Sequence, residues 1–197
     1  ETISMKAWKR VGETLQLPTS DEFILSLIGR TRKDQQVVFD SYMSKDWPQE
    51  EACSLHTQFK KEEKLKNGVP LMGDVKGLLD TVKAKGYTIA MATSASAEDV
   101  EFNLNNAGIQ HYFEAIISDE MIKHGKPAPD VYLKTAQQLN LSPQECLVVE
   151  DSLNGVRAAF GAGTTVVMIP DKVQPTKEIK AMCNYILKSL DDLKEIV

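Results

Sequence analysis

The chain has 197 residues, 42% of them apolar and 26% charged, with a formal net charge of −5. That length suits one domain, or a core with a small second domain, and can bury a sizeable core without disulfides or metal staples. Both signs of charge are spread along the chain, so no basic stripe fits nucleic acid, and no apolar run is long enough to span a bilayer. From residue 2 to about 67 the apolar residues recur at helical spacing. Ile3, Ala7, Trp8, Val11 and Leu15 line a first helix, which Pro18 stops. Phe23, Ile24, Leu27 and Ile28 predict a second, ending near Gly29, and Val37, Val38, Phe39, Tyr42 and Met43 a third. Pro48 opens a fourth from its first turn. Asn67-Gly68-Val69-Pro70 then breaks the pattern.

Beyond residue 70, strands alternate with helices. Val75, Leu78, Leu79 and Val82 predict a helix ending at Gly86, and Tyr87 to Ala92 a buried strand. A helix from Glu98 to Asn106 ends at Gly108, and Ala115 to Ser118 reads as a short strand. Asp130 to Leu139 is helical, Cys146 to Val149 is an all-apolar strand, and Ser152 to Phe160 is helical again. Thr164 to Ile169 and Tyr185 to Leu187 predict further strands, and Leu190 to Ile196 a last helix. Continuous apolar strands separated by helices predict a parallel sheet covered on both faces. The expected architecture is α/β: a Rossmann-like parallel-sheet core over residues 71–197, with an all-helical cap over residues 1–70.

Other residue types narrow the class less. Cys53, Cys146 and Cys183 have no metal-ligand spacing, and their odd number argues against a complete disulfide framework. A reduced, cytoplasmic protein is expected, with Cys146 in the core. His56, His111 and His124 have no metal-ligand spacing either, and His124 reads as a loop-surface residue near Lys126. The basic run Lys60-Lys61 to Lys66 is mixed with Glu62 and Glu63 and reads as a solvated helix face. Trp8 and Trp47 read as helix packing.

In an open α/β sheet, ligands bind beyond the carboxyl ends of the strands, and three features fall there. Thr93 and Ser94 follow the first strand and offer hydroxyl and backbone N–H groups to an anion such as phosphate. Lys126 lies in the loop Gly125-Lys126-Pro127-Ala128-Pro129-Asp130, where prolines restrict the backbone. Glu150 and Asp151 end the strand Leu147-Val148-Val149, and two adjacent carboxylates there suit a divalent cation such as Mg²⁺. Each has a plainer alternative: a helix N-cap for Thr93-Ser94 and for the acid pair, and a surface position for Lys126. Their convergence on one sheet edge favours a site.

At these residues the chain resembles the haloacid dehalogenase superfamily, and within it the β-phosphoglucomutase-like phosphatases with a helical cap. Gly-Lys-Pro-Ala-Pro-Asp at 125–130 and Val-Val-Glu-Asp-Ser with Gly155 and Ala158-Ala159 carry the resemblance, as does Ile89-Ala90-Met91-Ala92-Thr93-Ser94. The resemblance implies that Thr93 binds phosphoryl oxygens, that Lys126 bridges nucleophile and phosphate, and that Asp151, helped by Glu150, holds Mg²⁺. It makes Ser94 and Asn154 supporting contacts. In the cap, the turn Gly29-Arg30-Thr31-Arg32-Lys33-Asp34 is similar to the family's substrate-contact turn, with Arg32 gripping substrate and Arg30 beside it; a solvated helix start is the alternative.

The family's first motif, Asp-X-Asp at the end of a central strand, has no counterpart before residue 71. The sequence has no initiator Met and is expected to begin about one strand and one loop late. In the family that strand lies between those ending here at Ala92 and Val149. Without it, a gap of roughly 9–10 Å is expected, with two central edges unpaired and the fold poor or rearranged.

The resemblance implies a Mg²⁺-dependent phosphatase of small phosphorylated metabolites, sugar phosphates or nucleotides, acting through an aspartyl-phosphate. This chain alone is expected to be inactive. A phosphosugar mutase is the alternative, disfavoured because Ser4 stands where the mutases' cap-hinge histidine would align. A non-catalytic phosphate-binding protein is a third reading. A receiver domain of two-component signalling is discounted, because there the acids precede the Thr and the Lys comes last. A monomer, with no nucleic-acid or membrane partner, is expected.

Overall fold

The structure is a computed structural model; it describes residues 2–27, 32–43, 47–171 and 173–197, without side chains at 2 and 32–34. It divides into two compact units, Glu1–Val69 and Pro70–Val197.

In the first unit the described residues form four helices: α1 (Thr2–Leu15), α2 (Asp21–Leu27), α3 (Arg32–Tyr42) and α4 (Gln49–Asn67). The apolar stripe of α1 packs along α4, with Trp8, Val11, Phe23, Ile24, Leu27, Phe39 and Ala52 buried at the centre. Trp8 stacks on His56 of α4, ring centroids 4.3 Å apart. Trp47 lies 4.7 Å from Phe39. At the solvent edge Lys6 meets Glu63 at 2.8 Å and Arg10 meets Glu62 at 2.6 Å. The run Lys60 to Lys66 is thus partly drawn into pairs across the two helices through its acids.

The second unit alternates: α5 (Val75–Ala84), β1 (Ala90–Thr93), α6 (Ala97–Ala107), β2 (Ala115–Ser118), α7 (Asp130–Gln138), β3 (Leu147–Glu150), α8 (Leu153–Ala162), β4 (Thr165–Met168), α9 (Lys177–Met182) and β5 (Tyr185–Ile186). Left-handed glycines close two of these helices, Gly108 after α6 at φ 66° and Gly163 after α8 at φ 80°. The final segment Asp191–Glu195 winds as a 3₁₀-helix, tighter than the α-helix its periodicity predicts. Helix α9 escapes the sequence reading because six residues carry too little periodicity.

Every strand pair is parallel, but the strands form two sheets. One is β1-β2, registered from Ala90↔Ala115 to Thr93↔Ser118. The other is β3-β4-β5, registered from Leu147↔Thr165 to Glu150↔Met168 and then Val167↔Tyr185. Helix α7 packs on β1, β2 and α8 and ties the sheets together. One cluster spans them, including Ile117 of β2, Val131 and Tyr132 of α7, Val156 of α8, and Val166 and Met168 of β4. Apolar packing is non-directional and carries across the break; strand pairing needs aligned backbone groups and does not.

The open edges are identifiable. Glu114 N–H donates to Ile89 C=O at 2.8 Å and Thr165 N–H to Cys146 C=O at 2.9 Å. Because a strand's backbone groups alternate between its two sides, Ala90 and Ala92 turn theirs away from β2, and Leu147 and Val149 turn theirs away from β4. The side chains record the same opening. Leu147 and Val149 are each 37% exposed, whereas Val166, Val167 and Met168 of neighbouring β4 are fully buried. The predicted buried strand Tyr87–Ala92 is therefore shorter and half-exposed, and Tyr87 itself is exposed. Cys146 precedes β3 at a partly exposed position, outside the core.

Candidate functional site

The capping alternatives are decided locally. Ser96 caps α6, its side chain accepting from Asp99 N–H at 3.3 Å, and Ser152 caps α8, accepting from Gly155 N–H at 3.0 Å. Thr93 and Glu150 therefore end β1 and β3, and Ser94 and Asp151 lie in the turns ahead of the caps. Thr93 Oγ1 accepts from Ala95 N–H at 3.1 Å, which fixes the turn after β1, and Ser94 is exposed there.

Lys126 joins the two sheets. The loop before α7, which contains a cis Lys126-Pro127 bond, carries its ammonium to Ala92 C=O at 3.4 Å and to Glu150 Oε1 at 2.5 Å. The Ala92 carbonyl belongs to the open edge of β1. Glu150 is only 7% exposed, and both its oxygens are engaged. Oε1 also accepts from the Tyr132 hydroxyl, and Oε2 accepts from Ser152 N–H at 3.3 Å and Ser152 Oγ–H at 3.0 Å. Gly155, one turn into α8, makes room for this carboxylate, because a Cβ there would overlap it. Beside the loop, Ser118 Oγ and Asp119 Oδ1 are buried at the end of β2 with no hydrogen-bond partner.

These contacts set the electrostatics. Burial pushes the Glu150 carboxyl upward, but Lys126 and the donors from Tyr132 and Ser152 outweigh it and hold the group below the ordinary glutamate range. Burial, then the charge of Glu150, raises the Tyr132 phenol and keeps it protonated. Asp151 goes the other way. Although solvent reaches it, partial desolvation raises its carboxyl, as do the neighbouring negative charges of Glu150 and Asp171, and Lys126 offsets only part of this.

That asymmetry bears on a metal. Asp151 is exposed and sits among like charges, so a divalent cation would relieve it. Among the described residues no group of three His, Cys, Asp or Glu side chains is arranged to enclose a cation. An ion here would take Asp151 and complete its shell with phosphate oxygens and water, a ligand set that suits Mg²⁺. Glu150, whose oxygens already accept from the side chains of Lys126, Tyr132 and Ser152, is paired without a metal.

The structure thus brings Thr93, Lys126, Glu150 and Asp151 to one edge. Asn154 lies on the first turn of α8, where its Oδ1 accepts from Arg157 Nη1 at 3.3 Å. Arg30 lies outside the described residues; Arg32 opens α3, and its side chain is likewise outside them. His124 is exposed and bonded through Nδ1 to Asp130 Oδ2 at 3.0 Å. Sequence reasoning missed Tyr132 and the steric role of Gly155. Tyr132 falls within the predicted helix Asp130 to Leu139, and only the fold shows its hydroxyl turned to Glu150.

Comparison with known proteins supplies the family. The family model of haloacid dehalogenase-like hydrolases matches residues 1–169. The chain belongs to that family. Among its haloacid dehalogenase-like relatives is a bifunctional riboflavin kinase/FMN phosphatase of Arabidopsis thaliana, 31% identical over 118 residues, covering 59% of this chain and 31% of the relative. Another is a phosphorylated carbohydrates phosphatase of Thermotoga maritima, 28% identical over 166 residues, covering 83% of this chain and 75% of the relative. The chain thus spans less than a third of the first protein's length and three quarters of the second's. A solved structure from Thermotoga maritima, provisionally assigned as a β-phosphoglucomutase, superposes with a TM-score of 0.83 at 25% identity, covering 100% of this chain and 93% of that one. No helix among the described residues is long and apolar enough to cross a membrane.

Proposed function

We propose that the protein hydrolyses phosphate monoesters of small metabolites, sugar phosphates or nucleotides, with Mg²⁺ as cofactor, residues 71–197 as catalytic core and residues 1–70 as cap. The observation that carries this reading is the Lys126 ammonium, held at the ends of β1 and β3 by Ala92 C=O and Glu150. An ammonium fixed there offsets charge on phosphoryl oxygens as the bond to the leaving group breaks. Thr93 and Ser94 hold those oxygens from the turn after β1, and Asn154 supports them from α8. Mg²⁺ bound through Asp151 supplies further neutralisation of the phosphate charge. The substrate-contact role of Arg32 and Arg30, taken from the resemblance, belongs to the same proposal. The relatives' names, one a phosphatase of FMN and one of phosphorylated carbohydrates, support the substrate class.

In this reading the attacking carboxylate is the first Asp of an Asp-X-Asp, carried on an extended apolar segment seated between β1 and β3. The open backbone groups of Ala90, Ala92, Leu147 and Val149 suit a parallel strand at that place. The carboxylate oxygen bonds to phosphorus as the ester P–O bond breaks, and the second Asp gives the leaving oxygen its proton. Water then adds to phosphorus, loses its proton to that same Asp, and releases phosphate with the first carboxylate restored.

The test is phosphate release from a panel of monoesters with Mg²⁺, for the 197-residue chain alone and for the chain preceded by an apolar strand ending in Asp-X-Asp. Release by the extended protein only, abolished by Lys126→Ala, is expected. Phosphate binding without release by either would leave a binding protein. The β-phosphoglucomutase assignment of the structural neighbour makes one control necessary: β-glucose 1-phosphate should yield phosphate and no isomer. Ser4, which aligns with the mutases' hinge histidine, instead meets His56 Nε2 through its hydroxyl at 3.0 Å.

A further inference from the structure

Tyr132 touches both members of the buried ion pair. Its hydroxyl donates to Glu150 Oε1, the same oxygen that receives Lys126, and its ring lies under the Lys126 ammonium, 5.1 Å from Nζ to the ring centroid. It is 6% exposed and sits in the first turn of α7, six residues after Lys126, to which Pro127 and Pro129 connect it. We propose that Tyr132 is the positioning residue of this site: it orients the Glu150 carboxylate and thereby holds the Lys126 ammonium at the carboxyl ends of β1 and β3.

A lysine has four rotatable side-chain bonds, and a single carboxylate leaves its ammonium free to swing about that contact. Ser152 fixes Oε2 of Glu150 from α8, through N–H and Oγ–H. Tyr132 fixes Oε1 from α7. With donors from the N-cap of α8 and from α7 on its two oxygens, the carboxylate plane is held, and Oε1 presents a fixed direction to Lys126. The ring adds a cation–π face below the ammonium, and Ala92 C=O supplies the remaining contact. An ionised carboxylate has no proton to give, so the phenol is the donor of this contact. Preorganisation of this kind places a charge before the ligand arrives and lowers the ordering cost of binding.

The consequence for phosphate rests on the reading of Lys126 as a phosphate ligand; the consequence for Lys126 itself does not. Two measurements separate them. In the first, amine-selective acylation of the native protein is followed by mass spectrometry. Tyr132→Phe keeps the ring and removes the hydroxyl, and should raise labelling of Lys126 several-fold while leaving Lys76 unchanged. In the second, inorganic phosphate with Mg²⁺ is titrated by calorimetry into wild type, Tyr132→Phe, Lys126→Met and the double variant. Loss of the hydroxyl should weaken phosphate binding about tenfold when Lys126 is present, and by less than twofold in the Lys126→Met background. Tyr132→Met, which removes ring and hydroxyl together, is carried beside it as the second variant, with folding checked by circular dichroism, and should exceed Tyr132→Phe in both readouts. Unchanged Lys126 labelling in both variants overturns the positioning role. So does a phosphate effect of equal size with and without Lys126, which is the mark of a general packing defect. If Lys126→Met leaves phosphate binding unchanged while Tyr132→Phe frees Lys126 to acylation, the phosphate reading of Lys126 fails and the positioning role of Tyr132 stands.

Discussion

The Glu150 carboxylate occupies the space that a Cβ at Gly155 would need, overlapping its carboxyl carbon and both oxygens. A residue ending a strand and a residue one turn into the next helix are thereby bound to one another's identity. Gly155→Ala gains about 1 kcal/mol of helix propensity, yet it must displace a buried, charged group. We expect a net loss of about 2 kcal/mol in urea denaturation, with phosphate binding weakened as Lys126 loses its partner. A stabilised Gly155→Ala protein would mean that the carboxylate moves aside at no cost.

Lys126 and Glu150 are both largely buried, with side chains 13% and 6% exposed. Lys126→Met leaves Glu150 charged in that environment, and should cost about 3 kcal/mol. Adding Glu150→Gln should recover most of it, because no unpaired charge then remains. The double-mutant cycle by chemical denaturation reads the coupling directly. Additive losses would show that the pair contributes nothing beyond its separate contacts.

His56 gives the helical unit a pH dependence. Burial, then the nearby charge of Lys60, lowers its pKa from 6.5 to about 4, against a smaller upward pull from its bond with the Ser4 backbone. Between pH 6.5 and 4 the unfolded chain therefore binds more protons at this residue than the folded one, so its contribution to stability falls as pH falls. Stability is intact above pH 6.5 and declines toward pH 4, by at most about 3 kcal/mol from this group. His56→Phe keeps an aromatic ring against Trp8 and should flatten the melting profile between those pH values relative to wild type. Parallel profiles for the two proteins would exclude the His56 contribution.

Asp151 is the residue whose removal should separate binding from folding. It is exposed, and its neighbours Glu150 and Asp171 repel its charge. Asp151→Asn should leave the melting temperature unchanged or raised without metal, and should weaken Mg²⁺ binding by calorimetry at least about tenfold. Undiminished Mg²⁺ binding would place the ion elsewhere.

Much of the fold was legible because its signals are local. The stripe Ala7, Trp8, Val11 and the breakers Pro18 and Gly108 mark helices within a few residues of themselves. Short elements were less legible: α9 is six residues long, and the last segment tightened to a 3₁₀-helix. The candidate site divides in the same way. Thr93, Lys126, Glu150 and Asp151 are legible because each ends or follows a strand, where an α/β sheet puts its ligands. Their partners are not, since Tyr132 and Glu150 lie 18 residues apart and Lys126 and Glu150 24 apart.

By itself, then, the sequence determined the alternation of helix and strand, the division near residue 70, and the family to which the signature at residues 125–159 belongs. Two unpaired central edges were already expected from the resemblance; only the tertiary structure decided which backbone groups stand open there, those of Ala90, Ala92, Leu147 and Val149. It alone decided that Glu150 is buried and saturated while its neighbour Asp151 is exposed. Periodicity and punctuation act over a few residues, so a one-dimensional pattern records them. Which backbone edge finds a partner, and which of two adjacent carboxylates is turned inward, depend on groups that meet only after the chain has folded.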